Sequence, residues 1–271
     1  MKLKLESILR QHYQPLQPTV QPSDQAVVYQ EWAPDGRLRD YVYCYWRLRI
    51  SRPLQQPFVY RVVADGCVDV FVDCLRPTDS FVMGFCQQYT EFPLANSFHY
   101  LGIRFFPSMF PQLFSVDAKA LSNRFERLDY VDPPAAVWLH RLLEEESSPQ
   151  KVTAGLNTFL FDKLANAHLE FDPRVYCAFD LILRSHGAIN TDHLDTGVSP
   201  RQLRRLFNNY LGTTPKTFSK VVRFQRVLRA IPSAQSQQQS KAFYDAGYYD
   251  QAHFIKDFKH FYGVTPTRAF R

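Results

Sequence analysis

The stretch from Ser199 to Pro215 recurs as Asp250 to Pro266 at a constant offset of 51 residues. Ser199, Leu203, Phe207, Tyr210, Gly212, Thr214 and Pro215 align with Asp250, Phe254, Phe258, Phe261, Gly263, Thr265 and Pro266. Each copy opens on a residue whose side chain can cap a helix, continues with apolar residues at helical spacing, and closes on a Gly followed by Thr-Pro. A chain built this way must hold two equivalent helices, each with one apolar and one polar face.

Charge follows the repeat. The chain carries 32 Lys/Arg and 26 Asp/Glu, a net +6. Residues 172–271 hold 15 of those cations against 7 of the acids, which gives +8 and leaves residues 1–171 at −2. A localised cationic excess attracts a polyanion and raises its encounter rate, phosphate being the usual target. The five cysteines, Cys44, Cys67, Cys74, Cys86 and Cys177, show no CxxC or Cys/His ligand spacing and read as reduced thiols. No apolar run reaches the roughly 18 residues of a membrane helix, and Met1 to Gln21 lacks an apolar signal core. A cytoplasmic protein without membrane partners is the expectation.

Residues 25 to 115 read as β-rich. Tyr41 to Ile50, Phe58 to Val63 and Val68 to Asp73 are runs of β-branched and aromatic residues, with Ala64-Asp65-Gly66 placed between the last two like a hairpin turn. Phe81 to Phe85 and His99 to Phe105 add further strands, and a small barrel or sandwich accommodates them all. Phe110 to Phe114 reads as a short helical turn. Pro134 to Glu146 carries Val137, Trp138, Leu142 and Leu143 along one face, and Ser148-Pro149 starts a helix containing Leu156, Phe159, Leu160, Lys163 and Leu164. This pair suits a connector or dimer contact, or a cover for the β domain. From Pro173 the chain is helical: a first helix bears Val175, Phe179, Ile182 and Leu183 and closes at Gly187, and Lys216 to about Arg229 links the two repeats across about 21 Å. Ser233 to Ser240 reads as a flexible bridge. The domains expected are 1–132 (β-rich, sensor-like), 133–171 (helical connector or dimerisation segment) and 172–271 (tandem helical module).

With Leu203, Phe207 and Tyr210 turned inward, Arg201, Gln202, Arg204, Arg205 and Asn208 face out from the first repeat helix. In the second, Phe254, Phe258 and Phe261 turn inward and leave Gln251, His253, Lys256 and Lys259 outside. Arginines and amides are the side chains that pair bidentately with guanine and adenine in a major groove.

These residues carry a resemblance. Gly247-Tyr248-Tyr249-Asp250-Gln251-Ala252-His253-Phe254-Ile255-Lys256-Asp257-Phe258-Lys259, followed by Gly263-Val264-Thr265-Pro266, resembles the signature of the AraC/XylS family of bacterial transcription regulators. Ser199 to Phe207 with Gly212-Thr213-Thr214-Pro215-Lys216 is similar to that family's first helix-turn-helix unit. The resemblance covers residues 174 to 271. It implies a cytoplasmic DNA-binding regulator, by precedent an activator touching RNA polymerase, whose two helix-turn-helix units enter successive major grooves of double-stranded DNA. Carried over by motif position, Arg201, Arg204, Arg205, Gln251, His253 and Lys256 are the base readers, and Lys216, Lys220 and Arg223 are phosphate contacts. One departure stands out: where the family places a Leu-Ala pair before the serine that opens the first recognition helix, this chain has Asp192-His193, so a shortened or bent positioning helix is expected. Leu38 to Trp46, Val63-Ala64-Asp65-Gly66, Asp69-Val70-Phe71, Met83-Gly84 and Gly102 to Pro107 resemble an uncharacterised sensor-like domain found ahead of some AraC-type modules. That implies a cupin-like β-barrel, and with it an α+β chain whose all-α part follows the barrel.

Asp65, Asp69 and Arg104 are charged residues set among apolar strands, where an unpaired charge is costly. They read either as the lining of a small-molecule effector pocket or as turn caps and a structural ion pair. His99 lacks neighbouring ligands for a metal. There is no Gly-rich phosphate loop, GxSxG elbow or HExxH, so no catalytic residue, cofactor or metal is assigned and the chain reads as a non-enzyme. A homodimer and a small-molecule effector are partners open to such a regulator; the rival reading is a small-molecule-binding β-barrel protein whose helical part mediates protein association without DNA binding.

Overall fold

The computed structural model describes residues 9–18, 20, 26–146, 148–230 and 247–269. Ser233 to Ser240, read above as a bridge, lies outside the described residues. Among the described residues, eight strands lie in the amino-terminal part: β1 (Val27–Trp32), β2 (Val42–Ile50), β3 (Phe58–Val62), β4 (Val68–Asp73), β5 (Ser80–Met83), β6 (Thr90–Leu94), β7 (His99–Phe105) and β8 (Phe125–Arg127). Six make one antiparallel sheet in the order β1-β2-β7-β4-β5-β8, and β3 pairs with β6 in a second, two-stranded sheet. The result is a barrel-like sandwich followed by an all-helical part.

Strand β4 shows how the sequence produces this layering. Side chains alternate across a sheet, so Val68, Val70 and Val72 enter the large core shared with the helices, while Asp69, Phe71 and Asp73 point between the two sheets. In β7, Leu101, Ile103 and Phe105 join the same large core, and Arg104 lies directly opposite Asp69 in register. The space between the sheets holds its own cluster, with Trp46, Leu48, Tyr60, Val62 and Met83 among its buried members.

The expected hairpin at Ala64-Asp65-Gly66 does not form, because β3 and β4 lie in different sheets. The segment is instead a crossover. Gly66 takes a left-handed conformation (φ 71°), and the Asp65 carboxylate accepts from Cys67 N at 3.0 Å and from Gln17 Nε2 at 2.8 Å. Strand pairing at long sequence separation is decided by packing, and the turn residues alone carry no information about it.

Among the described residues, the α-helices from Met109 onward are α1 (Met109–Leu113), α2 (Ala118–Leu121), α3 (Leu128–Val131), α4 (Pro133–Glu145), α5 (Pro149–Asn166), α6 (Pro173–Arg184), α7 (Pro200–Leu211), α8 (Pro215–Ala230), α9 (Gln251–Tyr262) and α10 (Pro266–Ala269). Helices α4 and α5 lie on the β domain. Val152, Leu156, Phe159 and Leu160 are buried, Asn157 Oδ1 accepts from the Tyr45 hydroxyl at 2.8 Å, and Trp138 stacks on Phe159. In α4 the buried pair is Ala135 and Leu139, four residues apart, whereas Val137 is exposed on another side of the helix. No described helix is long and apolar enough to cross a membrane.

One continuous core runs from the β strands through α8 and α9. At its centre the side chain of Gln225, on α8, is 1% exposed. Its Oε1 accepts from Leu16 N at 2.8 Å and its Nε2 donates to Ala64 O at 2.9 Å. Removing a buried amide leaves both backbone partners without a mate, at about 1–3 kcal/mol each before relaxation. Gln225→Ala is therefore expected to lower the unfolding free energy by about 2–3 kcal/mol, read from chemical denaturation; an unchanged midpoint would show that the amide carries no such weight.

Candidate nucleic-acid interface

The two repeat helices, α7 and α9, are built alike. Ser199 Oγ accepts from Gln202 N at 3.3 Å, and Asp250 Oδ1 accepts from His253 N at 2.7 Å, so each helix opens on a side-chain cap. Gly212 (φ 72°) and Gly263 (φ 96°) close them in the left-handed region, each N–H returning to the carbonyl four residues back. Leu203, Leu206, Phe207 and Leu211 are buried in α7, and Phe254, Phe258, Phe261 and Tyr262 in α9.

The outer faces carry the charge. Arg201, Arg204 and Arg205 are exposed on α7, with Gln202 and Asn208 half-buried beside them. On α9, Gln251, Lys256 and Lys259 are exposed and His253 is half-buried. Lys216 is exposed at the start of α8. Arg204 lies 3.6 Å from Asp192, an exposed pair worth at most about 1 kcal/mol and open to competition from a phosphate. Asp192 belongs to a single 3-10 turn, Thr191–His193, which stands where a longer positioning helix would lie, so the departure at Asp192-His193 does shorten that element.

Two of the cations expected at phosphates are engaged inside the module. Lys220 Nζ donates to Asp257 Oδ1 at 3.2 Å, tying α8 to α9. Arg223 donates to Gly187 O through Nη2 at 2.6 Å and Nε at 3.2 Å, with its guanidinium over the Tyr248 ring. The His253 ring sits 3.4 Å from Asp257 Oδ2, an ion pair only when the imidazole is protonated; geometrically it is no hydrogen bond, and Oδ2 has no donor among the described residues. Arg201, Arg204, Arg205, Gln251, Lys256 and Lys259 thus form the outward set, and Lys220 and Arg223 hold the frame behind them. Two residues not singled out from sequence are also exposed in the helical part. Tyr249, immediately before the α9 cap, is 90% exposed, and Arg268 on α10 is exposed. A large aromatic just ahead of a capping Asp is the only sequence signal for the former.

The β domain holds the inner ends of both helices. A β-carbon on Gly212 would stand 2.4 Å from Ala118 O, and one on Gly263 would stand 2.8 Å from Arg61 Nε and from the Tyr89 ring. Phe261 O accepts from Ala64 N at 3.2 Å, and His260 O accepts from Tyr89 N at 3.4 Å. The equivalent glycines of the two repeats are therefore both docking points.

The remaining candidates form one buried cluster. Arg104 donates through Nε to Asp69 Oδ1 at 3.1 Å and through Nη1 to Glu31 Oε1 at 3.1 Å, and Asp65 Oδ2 lies 3.4 Å from Arg104 Nε. Trp46 Nε1 also donates to Asp69 Oδ1, at 3.0 Å. Burial, reinforced by Asp65, pushes the Asp69 carboxyl up to about 6 in spite of Arg104. Burial works against the Arg104 charge, but Asp69 and Asp65 more than compensate and hold it well above its ordinary value. The trio is an internal ion cluster, and two of its members, Asp69 and Arg104, also line a cavity. Among the described residues no group of three His, Cys, Asp or Glu is arranged to hold a metal.

Substitution of the docking glycines separates their two costs. Both are strained by φ above zero, but Gly212 faces backbone and Gly263 faces flexible side-chain atoms. Gly212→Ala is expected to lower stability by about 2–3 kcal/mol and Gly263→Ala by about 1–2 kcal/mol in thermal unfolding; the reverse order would contradict the placement of α7 against α2.

Residues 30–127 match a family model described as a domain of unknown function (DUF6597), and residues 195–271 match one described as a helix-turn-helix domain. No curated protein matches the chain significantly. Among solved structures it is similar to ToxT from Vibrio cholerae O395, at 10% identity and a TM-score of 0.39 over 90% of this chain and 95% of that one. It is also similar to an apo lysine-to-alanine variant of ToxT from Vibrio cholerae strain SCE256, at 9% identity and a TM-score of 0.40 over 90% of this chain and 96% of that one.

Proposed function

We propose, from the premise that the carboxyl-terminal third of this chain is an AraC-type helix-turn-helix domain and the chain a DNA-binding regulator of that type, that α7 and α9 read two successive major grooves on one face of duplex DNA. The observation that carries this reading is the equivalence of the two helices: the same caps, the same buried face, and an outer face of Arg201, Arg204 and Arg205 on one and Gln251, Lys256 and Lys259 on the other. In this reading Arg201, Arg204, Arg205, Gln251 and Lys256 are the base readers, and Lys216 and Lys259 contact phosphates. Lys220, Arg223 and His253 act behind that surface through Asp257, Gly187 and Tyr248.

Residues 1–132 serve in this reading as the sensor-like domain, 133–171 as the connector and 172–271 as the DNA-binding domain. The connector's packing on the β domain supports a scaffold role for it. The resemblance of the module to AraC/XylS regulators supports activation through RNA polymerase in the cytoplasm, with no catalytic role for the chain.

Binding to a selected duplex should weaken with salt along a log–log slope of about −5 if some six phosphates are neutralised. Arg204→Glu combined with Lys256→Glu should lower affinity at least about 100-fold. Salt-independent binding, or an unaffected double variant, would overturn the DNA reading. The two-groove arrangement has its own test: inserting about 5 base pairs between the two halves of the site should abolish high-affinity binding, because the second groove then faces away. If instead the insertion has no effect, only one helix is being used.

A further inference from the structure

A cavity of about 180 Å³ lies between the two sheets, a volume similar to an engineered apolar cavity that takes up benzene. Its walls hold seven aromatic rings: Trp46, Tyr60, Phe71, Phe81, Phe92, Tyr100 and Phe125. They come from both sheets, and three of them, Phe71, Phe81 and Phe125, stack or tilt against one another at centroid distances of 4.6 to 5.7 Å. Phe125 is 43% exposed and marks the opening. The cavity owes its shape to Gly102, which lies opposite Trp46 on the neighbouring strand. Any β-carbon there would stand 2.1 Å from the indole, so the glycine lets the ring lie down against the sheet.

The charges around this ring cluster are unbalanced. At the inner end, Glu31, Asp65 and Asp69 surround the single guanidinium of Arg104. At the other end Asp73 and Asp79 flank Arg76, and Arg127, near Phe81, is shared by Asp79 and Asp129. Asp69, Asp73, Arg104 and Arg76 line the cavity itself, two of each sign, and Glu31, Asp65, Asp79 and Asp129 stand behind them with Arg127; over the two clusters carboxylates outnumber guanidinium groups six to three, a surplus that disfavours an anionic occupant and favours a cation. The carboxylates are also already saturated. Asp69 accepts from Trp46 and Arg104, and Asp73 accepts from Leu75 N at 2.9 Å and from Arg76 at 3.0 Å. An occupant with N–H donors would have to break these bonds, whereas an alkylated cation asks for none. It takes its stabilisation from ring quadrupoles and from the surplus negative field, both of them non-directional.

We propose that this cavity binds a small, fully alkylated organic cation of the quaternary ammonium type, held by its aromatic rings over the Asp69–Arg104–Asp65 cluster. The site is independent of the DNA-binding reading, since none of its residues belongs to the helical module.

Calorimetric titration of the full-length chain tests this with three probes of matched size: benzyltrimethylammonium, its uncharged isostere neopentylbenzene, and benzenesulfonate. The cation should bind, about tenfold or more tightly than the neutral isostere, and benzenesulfonate should not bind. Phe92→Leu, which keeps the apolar volume but removes a ring, and Phe125→Ala, at the exposed opening, should each weaken the cation about 3- to 30-fold and leave the neutral probe within about threefold. Equal affinity for the charged and neutral probes, no uptake of the cation at about 10 mM, or an affinity unmoved by Phe92→Leu would each overturn the proposal.

Discussion

The Gln225 amide is the joint on which this architecture turns. It sits on the buried face of the linker helix, beside Val221, Val222, Phe224, Val227 and Leu228, and it reaches the backbone of two amino-terminal segments, at Leu16 and at Ala64. Ala64 in turn donates to the last turn of α9. Buried polar bonds of this kind are directional where hydrophobic contact is not, so they define one docking geometry among the many that apolar faces would allow. The linker helix is thereby registered against the β domain, and the two repeat helices attached to its ends inherit that register. Gly212 and Gly263 complete the joint by letting the inner ends of both helices approach the β domain closely.

Electrostatics divides the molecule in two. The β domain gathers its charges inward, where Arg104 is enclosed by carboxylates and the surplus is negative. The helical part turns its cations outward on α7 and α9, while Lys220 and Arg223 on α8 are engaged within the module. The crossover at Asp65 belongs to both halves: its carboxylate joins the Arg104 cluster and Gln17, and its carbonyl accepts from the Tyr13 hydroxyl, whose ring packs on Phe218 of the linker helix. Asp65 therefore touches both the Arg104 cluster, through its carboxylate, and the Tyr13 ring that packs on the linker helix, through its carbonyl.

Much of this was legible from residues because it is local. The caps at Ser199 and Asp250, the glycines at 212 and 263 and the four-residue apolar spacing all act within a few residues, and each took the expected conformation. The shortened turn at Thr191–His193 was legible for the same reason. What depends on distant partners was not. Nothing near Ala64 to Gly66 tells that β3 will pair with β6, and nothing on α8 tells that Lys220 will meet Asp257 or that Gln225 will reach residue 16. The charged trio of Asp65, Asp69 and Arg104 was visible as an anomaly in apolar strands, but its arrangement required the β4–β7 register that sets Asp69 opposite Arg104. The aromatic cavity escaped notice because its rings come from β2 to β8 and no single strand announces it.

The β domain, through Gln225 and the two glycines, holds the repeat helices at one separation before any DNA arrives. Electron–electron double resonance between spin labels at Asn209→Cys and Lys259→Cys, with the exposed Cys177 replaced by serine, measures that separation directly in the free protein. A single narrow distance that broadens when Gln225→Ala is added is the expected result. A broad distribution in the parent protein, or a narrow one indifferent to Gln225, would contradict the account.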